Sequence, residues 1–438
     1  MTSENRIEKV YNEYLRETFF FATHKSGLKI VFVPKKLTSF YALLGVKYGS
    51  IDSSFKCADE KEFTKVPDGI AHYLEHKMFE NEDGTDAFAA FSKLGASANA
   101  FTTNNLTAYL FSCTSNFKES LGSLVDFVYR PYFTDETVEK ERGIISEEIE
   151  MYEDDPYSSL HRGLLDLLYS DHPIKIDVAG TVESVSRITP EHLYRCYNAF
   201  YRPGNMVLSV SGDTDIETIL DVCDKVLAGR FEGSKTESAS ISEPEYARKS
   251  RGERRMPVSR PLFCIGVKDV PFIDDRQRMK RTMAASLLVD VLFGASSEFY
   301  SHLYDSGMIT SMSCGYDAMR NYAFTYIIGE SDTPEAVYKF FRDTVSKTLA
   351  EGLSRADFDR AKKVSVANFV KNFDSTESIA TEALYTEIDG IGIDDYVSLL
   401  FEVDYDFTCT ILSDFFDESK CAMMTILPQE KKEDEEDI

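Results

Sequence analysis

Two histidines and a carboxylate fall within five consecutive positions at His72-Tyr73-Leu74-Glu75-His76. On a helix, positions i, i+3 and i+4 share a face, so His72, Glu75 and His76 point one way. Two imidazoles one turn apart can grip a single metal ion. The carboxylate between them stands beside the ion's open position, where it can take a proton from water and later hand it to a leaving amine. The order is the inverse of the commoner His-Glu-x-x-His arrangement. With 7 His and 74 acidic residues among 438, a His-x-x-acid-His run is expected about 0.02 times by chance. The blander reading is a pair of histidines on an ordinary amphipathic helix.

A catalytic zinc normally takes three protein ligands and leaves one position for exchange, so a third ligand has to arrive from elsewhere. The stretch 139–150, Glu-Lys-Glu-Arg-Gly-Ile-Ile-Ser-Glu-Glu-Ile-Glu, is helical in pattern and crowded with acids. Glu141 and Glu148 lie seven apart, two turns, and project from nearly the same face. One can bind metal while the other orients a ligand from behind. Taken alone, an acidic helix is a solvated face.

At these residues the sequence resembles the insulinase/pitrilysin family of inverzincin zinc peptidases, which includes the mitochondrial processing peptidases, and is most similar to its bacterial YfmH-type subgroup. The resemblance is carried by Pro67-Asp-Gly-Ile-Ala-His-Tyr-Leu-Glu-His-Lys-Met-Phe-Glu80 and Gly95-Ala-Ser-Ala-Asn-Ala-Phe-Thr102, and it runs over essentially the whole chain. It implies a zinc-dependent metalloendopeptidase subunit with one Zn2+ per chain. His72 and His76 are then metal ligands and Glu75 the general base. The family's third ligand is the Glu seven residues after the Glu of a Glu-Arg pair. Glu141-Arg142 leads to Glu148, leaving Glu141 as the acid that orients a ligand. The resemblance further implies an α+β fold of two homologous α/β sandwich domains, of the LuxS/processing-peptidase type, forming half of a clam-shell. A second homologous subunit or a fused repeat supplies the other half. Peptides enclosed in the chamber would add a strand along 96–103, with Asn99 and Ala100 nearest the scissile bond. Without the resemblance, that segment is an alternating sheet strand.

One stretch departs from the family pattern. Self-sufficient members carry an Arg and a Tyr, seven residues apart, in the second half, where they contact substrate and polarise its carbonyl. In the matching stretch 294–311, Tyr304 stands in place of the Arg and Thr310 or Ser311 in place of the Tyr. The resemblance therefore implies a heterodimer, with a homodimer as the variant, in which a homologous subunit lends the Arg/Tyr pair. The alternative function is a non-catalytic peptide-binding or structural subunit of the same fold.

The elements that must position these residues read as mixed sheet and helix. Runs at 27–34 and 40–47 are rich in β-branched and aromatic residues and read as adjacent strands. Helical spacing covers about 67–80, 86–94, 115–129 and 135–152. A strand-like run at 97–112 is interrupted at 103–105, and 206–211 returns to strand. Apolar periodicity fades over 229–260, which reads as a linker between a zinc-bearing domain, 1–228, and a homologous domain, 261–428. The residues 429–438 form an acidic tail expected to be disordered.

At 438 residues the chain is long enough for two cores, and its 43% hydrophobic content is that of a folded protein. A net charge of −26 argues against nucleic acid, whose phosphates require surplus Lys and Arg. The 8 cysteines lack any Cys-x-x-Cys pair, so a thiolate zinc site is not signalled. The first residues carry no basic segment followed by an apolar run, and no stretch reads as a membrane span. The expected setting is cytoplasmic, with a peptide substrate and no membrane partner.

Overall fold

The computed structural model describes residues 4–230, 233, 235–269 and 274–429. It contains two α+β units. The first comprises Met1–Glu150, Ile176–Ile241 and Ala367–Ser398, the second Met151–Lys175, Ser242–Val366 and Leu399–Ile438.

In the first unit seven strands lie in the order Arg6–Asn12, Glu17–Thr23, Lys29–Pro34, Met206–Gly212, Phe40–Val46, Thr107–Cys113 and Ser97–Thr102. The runs read as adjacent strands, 27–34 and 40–47, are thus separated by Met206–Gly212. That strand is buried along its whole length and needs ladder partners on both edges. It runs parallel to Lys29–Pro34 and antiparallel to Phe40–Val46. The opening hairpin, Arg6–Asn12 with Glu17–Thr23, has no counterpart in the sequence reading, because the first of these strands is charged and mostly exposed.

In the second unit the order is Arg251–Met256, Cys421–Pro428, Leu262–Asp269, Ala323–Glu330, Met312–Ala318. The first pair is parallel and the rest antiparallel. The last five strands of the first sheet repeat this order and these senses, strand for strand along the chain. The two units therefore share one topology, which is the duplication expected from the sequence.

Each sheet is covered on one face by a helix drawn from the other half of the sequence. Pro156–Leu168 packs on Cys421–Pro428 and Leu262–Asp269, whereas Thr376–Ile388 packs on Met206–Gly212 and Phe40–Val46. The units consequently do not follow a single division of the chain between 228 and 261. The expected linker region also contributes strands: Thr236–Ser238 pairs with Ser54–Cys57, and Arg251–Met256 forms an edge of the second sheet. Of the tail at 429–438, only Gln429 is among the described residues.

A short repeat explains how the two covering helices are seated. Gly45-Val46-Lys47 and Gly266-Val267-Lys268 end corresponding strands. A Cβ on Gly45 would stand 2.7 Å from Leu384, and one on Gly266 would stand 2.8 Å from Leu164, so each glycine lets a helix lie close against its strand. Each lysine then caps that helix's C-terminal end. Lys47 Nζ donates to the Glu387 carbonyl at 3.2 Å and Lys268 Nζ to the Leu168 carbonyl at 3.0 Å.

Among the described residues one stretch, Asp275–Asp305, is long and apolar enough by length and composition to cross a membrane, contrary to the sequence expectation. Its helix breaks at Gly294, and 67% of the apolar window is buried, which is the signature of a core helix.

Candidate metal centre

The motif helix spans Ile70–Lys77. Its N-cap, Gly69, has φ 88°, and a Cβ there would lie 2.3 Å from the Ala179 carbonyl oxygen, so glycine alone fits the start of the helix. Ile70, Tyr73 and Leu74 are buried in the core of the first unit, each large apolar side chain contributing roughly 1.5–3 kcal/mol. Burying that face commits the His72/Glu75/His76 face to the neighbouring elements.

One neighbour is the acidic helix, Asp135–Asp154, which buries Val138, Ile145 and Ile149. That choice of buried face fixes its rotation and turns Glu141 and Glu148 toward the histidines. One further bond ties the two helices together, and a second closes the end of the motif helix. The buried Tyr73 hydroxyl donates to the Val138 carbonyl, and the fully buried Lys77 ammonium pairs with Glu80.

His72 Nε2 lies 3.7 Å from Glu148 Oε1, and His76 Nε2 lies 3.6 Å from Glu148 Oε2. These distances are too long for hydrogen bonds. They are close to the roughly 3.4 Å that separates ligand atoms placed about 2.0–2.2 Å from one tetrahedral ion. One donor atom from each of His72, His76 and Glu148 falls within 4.8 Å of the other two. The residues present therefore fit a zinc ion. On its far side, His76 Nδ1 lies 3.1 Å from Glu141 Oε1. With the proton on Nδ1 and donated to Glu141, the Nε2 lone pair faces Glu148.

Burial, reinforced by the neighbouring His76, pulls His72 down to about 4, which keeps its imidazole neutral and its lone pair available. Burial also pulls on His76, but the hydrogen bond to Glu141 and the charges of Glu75 and Glu148 outweigh it and raise that ring. Glu141 is lowered, chiefly by its bond to His76. Glu75, 7% exposed, is raised by burial; the Thr102 hydroxyl opposes that shift by donating to Glu75 Oε2 at 2.8 Å.

Asn99 and Ala100 lie on Ser97–Thr102, the last strand of the first sheet, and Asn99 Oδ1 accepts the Ala100 N–H at 2.9 Å. Their strand is packed beneath the motif helix. Thr102, Tyr73 and Lys77 are site neighbours that the sequence reading passed over. Thr102 and Tyr73 act through partners distant in sequence, and Lys77 is marked by its complete burial, which its i,i+3 spacing to Glu80 does not reveal.

Residues 62–182 match the family model described as Insulinase (Peptidase family M16), and residues 187–365 match the one described as Peptidase M16 inactive domain. The chain is 37% identical over 432 residues to YmfH of Bacillus subtilis (strain 168), described as an uncharacterized zinc protease, with 97% of this chain and 100% of that protein covered. An M16-like protein from Alicyclobacillus acidocaldarius superposes with a TM-score of 0.89 at 30% identity, covering 98% of this chain and 100% of the other. Pitrilysin shares the fold, with a TM-score of 0.76 at 14% identity, over 97% of this chain and 47% of its own. From the fold, the duplicated topology and the relatives together, the chain belongs to the insulinase family of peptidases, family M16.

Proposed function

We propose that this chain is the zinc-bearing subunit of a metalloendopeptidase that hydrolyses enclosed peptides. The observation that carries the reading is the approach of His72 Nε2 and His76 Nε2 to the two oxygens of Glu148, at 3.7 and 3.6 Å, beside the buried Glu75. His72, His76 and Glu148 would hold one zinc ion, and Glu141 would set the tautomer of His76. When bound, zinc supplies Lewis acidity toward a peptide carbonyl and toward water. Glu75 takes a proton from the attacking water and returns it to the leaving amine nitrogen. Asn99 and Ala100, on the edge strand, would align the peptide by main-chain hydrogen bonds.

The chain matches 47% of pitrilysin, so a second segment of similar size is what a homologous partner would add. That partner would also supply the Arg/Tyr pair, since the stretch 294–311 holds Tyr304, Thr310 and Ser311 at those places. The same departure supports the second reading, a non-catalytic peptide-binding subunit.

The test is zinc per chain in wild type and Glu148→Gln, purified without added metal, together with cleavage of a quenched fluorescent peptide library by wild type and Glu75→Gln. Near one zinc in the wild type, much less in Glu148→Gln, and zinc retained without cleavage in Glu75→Gln are expected. Cleavage that survives in Glu75→Gln removes Glu75 from the mechanism, and a wild type that holds zinc and cleaves nothing, even when mixed with a homologous Arg/Tyr-bearing subunit, favours the binding subunit.

A further inference from the structure

Glu75 sits 7% exposed on the motif helix, and among the described residues its side chain has one hydrogen-bond donor, the Thr102 hydroxyl, at 2.8 Å from Oε2. Thr102 is the last residue of the strand Ser97–Thr102. Alternation along a strand places Ala98, Ala100 and Thr102 on one side of the sheet. Ala98 and Ala100 pack against the core there, beneath the motif helix, so the Thr102 side chain reaches up to Glu75 and not outward.

The direction of the proton follows from the neighbours. Thr107 Oγ1, 3.5 Å from Thr102 Oγ1, gives its single proton to the Tyr48 carbonyl at 2.9 Å. Toward Thr102 the Thr107 oxygen can then only accept, and an ionised carboxylate likewise only accepts, so Thr102 is the donor of the shorter bond, to Glu75 Oε2. Its main chain is fixed on one side by pairing with Thr107, while the opposite edge of the strand is unpaired among the described residues.

We propose that Thr102 is a positioning residue for peptide hydrolysis. It holds the Glu75 carboxylate in one orientation and ties that orientation to the strand along which a peptide would lie. A glutamate has three rotatable bonds, and a general base acts only within hydrogen-bond reach of the proton it removes. Freed from Thr102, the carboxylate would spend part of its time turned away from the water. Because the hydroxyl points inward from the strand, its loss leaves the main-chain edge intact. This inference rests on the peptidase reading given above.

The experiment compares wild type, Thr102→Val and Thr102→Ser for zinc content, kcat and KM on one fluorogenic peptide, with Glu75→Gln as the inactive control. Removing a hydrogen bond to a charged group predicts a loss of about ten- to a hundredfold in kcat for Thr102→Val. KM and zinc content are expected to stay within about twofold of wild type, with kcat recovered in Thr102→Ser. A purely structural threonine would lower stability or zinc content without this split between kcat and KM. In metal-free protein, Thr102→Val and Glu75→Ala are expected to be non-additive in thermal stability, which reads the contact without activity. The inference is overturned by an unchanged kcat in Thr102→Val, by a Thr102→Ser variant as impaired as Thr102→Val, by a change confined to KM, or by strict additivity. Cleavage lost in Glu75→Gln and untouched in Thr102→Val removes this inference alone, whereas a wild type without cleavage removes the peptidase reading and this inference with it.

Discussion

Glu141 Oε1 lies 3.1 Å from His76 Nδ1, on the opposite side of the ring from Glu148, whose Oε2 is 3.6 Å from Nε2. The two carboxylates of one helix thus take hold of the two nitrogens of one imidazole. Engaged in that bond, Glu141 is turned away from a metal placed between the histidines and Glu148, but it can orient and polarise the ring that would bind one. Glu141→Gln is therefore expected to keep the fold and weaken zinc binding by about 10–100-fold. Competition with a chromophoric chelator measures this, and an unchanged affinity would show that the ring is held by its packing alone.

Zinc that binds only the folded chain stabilises it by RT ln(1 + c/Kd), where c is the free zinc concentration. At a hundredfold excess over Kd the gain is about 2.7 kcal/mol, equivalent to roughly 5 °C or more in Tm for a unit of this size. Stripping the wild type with a chelator should lower Tm by that amount, while His76→Ala, already without metal, should not respond. Equal responses in both proteins would place the metal elsewhere.

In the second unit, Lys268 is 2% exposed and donates to Glu243 at 2.6 Å as well as to the Leu168 carbonyl. Glu243 also accepts the main-chain N–H groups of Ser170, Asp171 and His172. Lys268→Met leaves that carboxylate without its cation and the helix end without its cap. A loss of about 3 kcal/mol is expected. Differential scanning calorimetry should show it in the transition of the second unit, and a variant as stable as wild type would mean that the three N–H groups suffice.

Burial pushes the Glu382 carboxyl, on Thr376–Ile388, up from 4.5 to about 7. Its folded pKa is raised above its unfolded value, so the folded chain binds the extra proton between those two pH values. Stability is then greatest below about 4.5, declines as pH rises, and carries the full penalty above 7. Glu382→Gln should accordingly raise Tm at pH 8, by up to about 3 kcal/mol in stability, and change it little at pH 4.5. A difference between variant and wild type that is the same at both pH values would contradict the burial account.

The sequence alone determined the features that are local. Spacing of three and four on one helix puts His72, Glu75 and His76 on a common face whatever surrounds them, and spacing of seven does the same for Glu141 and Glu148. The helices and strands around the candidate site were legible for the same reason, since the periods of 2 and 3.6 are written in neighbouring residues. The charged first hairpin strand, Arg6–Asn12, escaped because it buries little and so shows no apolar alternation.

Tertiary structure alone decided which faces meet. The apolar stripes of Pro156–Leu168 and Thr376–Ile388 require a sheet to cover, but an amphipathic pattern does not say which one, and each helix covers the sheet built mainly from the other half of the chain. Met206–Gly212 entered between two strands close in sequence for a similar reason: strand pairing satisfies backbone groups without regard to separation along the chain. At the candidate metal centre, the separate positions of Glu141 and Glu148 around His76, and the reach of Thr102 to Glu75, arise from packing between segments 27 to 76 residues apart. Side-chain spacing places groups on a face; only the packed core brings two faces within the few ångströms at which they can share a proton or a metal.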